Sequence, residues 1–73
     1  MELQWHLQDG EWATLFPGGF CRKAIITMGD SGLWVRLFEN GEVIRTSFPF
    51  QDHTAARHEA FLLAEKEGWV KVG

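Results

Sequence analysis

With 73 residues the chain has room for one domain, and a core of that size hides only about 60% of the surface that the unfolded chain exposes. A hydrophobic fraction of 45%, with four Trp and six Phe, excludes a disordered polymer. A net charge of −3 weighs against a nucleic-acid binder, which would need a locally basic surface against that overall sign.

The first readable element alternates Leu3, Trp5 and Leu7 with Gln4, His6 and Gln8 and stops at Asp9-Gly10. Period-two alternation makes a strand, and Asp-Gly suits the two-residue type I′ turn, whose central residues both need positive φ. The turn sets Gln8 against Glu11, Leu7 against Trp12, Trp5 against Thr14 and Leu3 against Phe16. The bulky residues then share one side, and Gln4, His6, Glu11 and Ala13 share the other.

Pro17-Gly18-Gly19 interrupts the pattern, and a third strand is expected from about Phe20 to Met28, with Ala24, Ile26 and Met28 facing away from Lys23, Ile25 and Thr27. Gly29-Asp30-Ser31-Gly32 ends it. Leu33 to Phe38 and Val43 to Phe48 then flank Asn40-Gly41, a second type I′ hairpin signal. A regular ladder from that turn sets Phe38 against Val43, Leu37 against Ile44, Arg36 against Arg45, Val35 against Thr46 and Trp34 against Ser47. It assigns Leu33, Val35, Leu37, Ile44 and Phe48 to one face, and Trp34, Arg36, Phe38, Val43 and Arg45 to the other.

Pro49 is expected to end the sheet, and Asp52 to cap a helix from about His53 to Glu67. Its residues are nearly all good helix formers, Gly68 stands where a left-handed glycine stops a helix, and Ala56, Ala60, Leu63 and Ala64 form an apolar stripe for packing on the sheet. Trp69-Val70-Lys71-Val72 either adds a final edge strand or tucks Trp69 into the core. No linker, repeat or low-complexity stretch divides residues 1–73, so the expectation is one α+β domain: about five short antiparallel strands packed by one C-terminal helix.

Chemistry-bearing motifs are scarce. Cys21 could pair with His6, His53 or His58 as a nucleophile and base, but no motif surrounds it and cysteine is commonly a small buried hydrophobe. His53 and His58, five apart, do not share a helix face as i, i+4 metal ligands do. Asp9, Asp30 and Asp52 have turn or cap roles, Glu59, Glu65 and Glu67 belong to a solvated helix, and no glycine cluster forms a phosphate cradle. No catalytic residue, metal or cofactor is therefore expected. A lone cysteine forms no intramolecular disulfide, no apolar run reaches the ~18–20 residues of a membrane span, and Met1-Glu2-Leu3-Gln4-Trp5-His6 lacks the basic and apolar parts of a signal peptide. These point to a cytoplasmic protein without a membrane segment.

Trp34, Arg36, Phe38 and Arg45 are the candidate partner-binding residues. They would form an aromatic and basic patch in which two arginines oppose each other, at a cost in stability. Trp and Arg beside large apolar groups are enriched where proteins dock. The structural alternative has the helix covering this face, or each guanidinium stacked on a ring in solvent. Exposed, the patch would serve as a docking surface for another protein, or as a platform for single-stranded nucleic acid with help from Arg22 and Lys23. Self-association into a homodimer is a third use of aromatic surface on so small a domain. In size and layout the chain resembles the small accessory proteins of phages and mobile elements. That resemblance implies an inhibitor or regulator of a larger complex and transfers no residue roles.

Overall fold

In a computed structural model, which describes residues 3–17 and 21–70, the chain is a five-stranded antiparallel meander with one helix laid across it. The strands β1 (His6–Gln8), β2 (Glu11–Leu15), β3 (Arg22–Gly29), β4 (Gly32–Glu39) and β5 (Glu42–Phe50) lie side by side in chain order, followed by α1 (His53–Lys66).

The turns form as their chemistry dictates. Asp9 and Gly10 have φ of 52° and 79°, and Asn40 and Gly41 have 54° and 83°, so both central residues of each hairpin turn are left-handed. The first turn fixes Gln8 opposite Glu11, Leu7 opposite Trp12 and His6 opposite Ala13. Ladder pairing starts only at His6. Leu3, Gln4 and Trp5 precede the strand and are held there by the Thr14 hydroxyl, which donates to the Gln4 carbonyl at 2.6 Å. The expected start of β3 at Phe20 lies outside the described residues, as does the tail from residue 71.

Helix α1 begins at Asp52, whose carboxylate accepts from the Ala55 N–H at 2.8 Å. It ends at Gly68, with φ of 78°, where the Gly68 N–H donates to the Glu65 carbonyl and the Trp69 N–H to the Ala64 carbonyl. These two bonds make a Schellman motif. Ala56, Ala60, Leu63 and Ala64 are the buried helix residues, and they pack on Ala24, Ile26, Leu33, Val35 and Leu37. The alanines let the helix axis come close to the sheet. Trp69 and Val70 turn back into the core and Trp69 meets Phe16 at 5.3 Å, so of the two fates open to this segment the described part takes the packed one.

Three expectations are corrected around β5. The ladder is regular from Asn40-Gly41 only as far as Phe38 opposite Val43; the register then shifts, and Leu37 pairs with Arg45, Arg36 with Thr46 and Val35 with Ser47. Ile44 is the extra residue of a bulge, which turns Arg45 through Phe48 to the opposite face, and a second register shift beyond Ser47 brings Phe50 back to the covered side, opposite Leu33. Arg45 therefore never faces Arg36, and Phe48 leaves the core side. Pro49, finally, does not end the sheet: β5 continues through it to Phe50, on an edge strand that tolerates a missing N–H.

The helix covers the face that carries Leu33, Val35 and Leu37, and its two flanks differ. Toward β5 the Ser47 hydroxyl donates to Glu59 at 2.6 Å and Arg45 pairs with Glu67. Toward β2 the Arg57 guanidinium lies 5.0 Å from the Trp12 ring centre and 5.7 Å from that of Trp5, and His53 meets the edge of Trp12 at 5.8 Å. Met28 and Leu7 reach beyond the cover of the helix and are exposed.

Candidate functional site

A five-stranded sheet with one helix has one covered face and one open face. The ladder arranges the open face in three rows that cross the strands. One runs Leu15, Lys23, Phe38, Val43, and the middle row runs His6, Ala13, Ile25, Arg36, Thr46. The third runs Glu11, Thr27, Trp34 and Phe48, tied at one end by the Thr27 hydroxyl donating to Glu11 at 2.7 Å and at the other by the Trp34–Phe48 stack.

Trp34 is the most constrained of these side chains. Its indole stacks on Phe48 with ring centres 4.0 Å apart and planes 4° from parallel, and the Arg36 guanidinium carbon lies 5.0 Å from its ring centre. The indole also lies across Gly29: a β-carbon built there would stand 2.5 Å from Trp34 Nε1, so only glycine leaves room for this pose. An aromatic stack contributes about 0.5–1.5 kcal/mol beyond area burial, and a cation on a ring face about 0.5–1 kcal/mol at an exposed site. Phe38 repeats the arrangement with Lys23, whose Nζ is 5.6 Å from its ring centre. Trp34 and Phe38 thus each carry a cation against them, held in place before any partner arrives.

Of the four candidate residues, Trp34, Arg36 and Phe38 share the open face, all half-buried. Arg45 is not among them, because the bulge at Ile44 moves it to the helix side and the carboxylate of Glu67. Arg22 is likewise engaged elsewhere, pairing with Glu39 at 2.9 Å and lying 5.4 Å from the Trp69 ring centre. Lys23 and Arg36 remain on the open face, and among the described residues neither has a salt-bridge partner. Phe48, 54% exposed, is a member of the site that a regular ladder assigns to the core. No local sequence feature marks the bulge; the pairings that favour it, Ser47 with Glu59 and Arg45 with Glu67, join residues 12 and 22 positions apart.

The open face is not flat. Ala13 and Ile25 in the middle row, with Leu15, Lys23, His6, Gln8, Asp9 and Glu11, line a hollow of about 370 Å³. A second hollow of about 430 Å³ lies at the other end of Trp34, between Arg36, Thr27 and the Asp30-Ser31 turn. Both fall within the size range of pockets that accept a side chain or small ligand. Among the described residues, no three His, Cys, Asp or Glu converge as a metal site requires, and Cys21 is exposed. Among the described residues, no helix is long and apolar enough to cross a membrane. No protein-family model, curated protein or solved structure matches the chain.

Proposed function

We propose that this chain is a non-enzymatic protein-interaction module that docks an acidic segment of another protein on the open face of its sheet, and in doing so inhibits or regulates a larger complex. The observation that carries this reading is the pairing of Trp34 with Arg36 and of Phe38 with Lys23 on an uncovered face, with neither cation satisfied by a carboxylate. Rigid aromatics supply contact area at low entropic cost, and unpaired cations supply direction and choose acidic partners. The rest of the molecule is acidic, so a partner of that charge is drawn to this face and turned away elsewhere.

The same details weaken the two other uses. Base stacking needs open ring faces, whereas the indole of Trp34 is taken by Phe48 and Arg36, and with Arg22 turned away the open face offers, among the described residues, Lys23 and Arg36 for phosphates. A two-fold dimer through the open face would bring two copies of Lys23 and of Arg36 together around the two-fold axis. A lone, exposed cysteine supports a reducing, cytoplasmic setting for the complex.

The test is selection of a displayed random dodecapeptide library on the immobilised chain, followed by affinity measurements on the recovered peptides. The expected peptides are net acidic with a large apolar residue, lose about tenfold or more in affinity against Lys23→Ala/Arg36→Ala, and are unaffected by Arg45→Ala. Enrichment of basic peptides, equal binding to Lys23→Ala/Arg36→Ala, or tighter binding of an oligo(dT) strand overturns the reading.

A further inference from the structure

We infer that the docked acidic segment crosses the strands, lying along the trough of the middle row with an apolar side chain over Ala13 and Ile25 and a carboxylate on Arg36; this rests on the reading of the open face as the docking surface. The strand register itself makes the trough. His6, Ala13, Ile25 and Arg36 are successive partners across β1 to β4, so one line perpendicular to the strands joins them. At about 4.8 Å per strand that line is about 14 Å long, the length of four or five extended residues.

Side-chain size decides where a partner can sit deeply. Ala13 is the smallest residue of the three cross-strand rows, and the rows on either side of it place Leu15, 72% exposed, and Lys23 on one flank and Glu11 with Thr27 on the other. The 370 Å³ hollow over Ala13 and Ile25 is therefore a socket for one apolar side chain, closed below by aliphatic carbon. Charge sets the direction. Arg36 terminates the trough at β4 and Lys23 flanks it, while the carboxylates of Asp9 and Glu11 line its β1–β2 end, so carboxylates of the segment belong toward β4 and its apolar anchor toward β2. Continuing to β5 gains little, because Thr46 at the end of the row is exposed and the bulge bends the edge strand there.

The test places one large side chain at each of two positions of the middle row. Ala13→Trp fills the socket and Thr46→Trp adds the same bulk outside it. Affinity of the peptides recovered on the wild-type chain is expected to fall about tenfold or more with Ala13→Trp and to stay within about twofold with Thr46→Trp. Ala13→Glu, which puts a carboxylate on the trough floor of a solvent-facing strand, should weaken binding by a similar factor, and keeps the test valid if the tryptophan variant does not fold. Loss with Thr46→Trp but not with either Ala13 variant would mean that the segment runs along β4 and β5, and overturns the trough while leaving the docking face intact. Peptides that bind Lys23→Ala/Arg36→Ala as well as wild type would remove the docking face itself.

Discussion

Arg36 and Arg45 are the same residue type on adjacent strands with opposite assignments. Arg45 lies against Glu67 on the helix side, where a half-exposed ion pair contributes up to about 1 kcal/mol, and Arg36 lies on Trp34 in the open. Arg45→Ala should therefore lower stability by up to about 1 kcal/mol in urea denaturation and leave peptide binding unchanged, whereas Arg36→Ala should weaken peptide binding about tenfold, with a stability loss no larger than the about 0.5–1 kcal/mol of its contact with Trp34. Gly29 has the corresponding role for Trp34. Gly29→Ala forces the indole off β3, so the Trp34 Nε1–H resonance should shift while those of Trp5, Trp12 and Trp69 stay in place, with a loss of about 1 kcal/mol for the crowded site. An unmoved Trp34 resonance would show that the indole does not rest on Gly29.

At the scale of elements, the two Asx-Gly turns, the period-two strands and the capped helix were all legible, because each depends on chemistry within four residues: positive φ at Asp9-Gly10 and Asn40-Gly41, the Asp52 carboxylate, and left-handed Gly68. Asp52→Ala and Gly68→Ala should each cost about 1 kcal/mol by the same measure. What sequence did not disclose is the bulge. A regular ladder puts Ile44 and Phe48 inward, which hydrophobic pattern favours; the fold instead spends one residue, Ile44, to bring Arg45 and Ser47 to the carboxylates of a helix not yet formed at that point in the chain. Half of the candidate site's geometry hung on that one position, so Trp34, Arg36 and Phe38 stood where expected, while Arg45 left the face and Phe48 joined it. The bulge makes a sharp prediction. Deleting Ile44 preserves both Phe38–Val43 and Leu37–Arg45 pairing and should give a folded protein, whereas deleting Thr46 takes Ser47 out of register with Val35 and away from Glu59 and should be the more destabilising of the two in urea denaturation.

For the whole molecule, the helix and the turns carry most of the acidic residues, and the open sheet face carries Lys23 and Arg36 against Glu11. A chain of net charge −3 thus presents one aromatic, locally cationic face opposite its helix. That polarity is a property of the register and not of composition. Amide shift mapping of the ¹⁵N-labelled chain titrated with a recovered acidic peptide tests it most directly: perturbations centred on Lys23, Ile25, Arg36 and Phe38 are the predicted result, and perturbations centred on Arg45, Glu59 and the exposed side of α1 would contradict it.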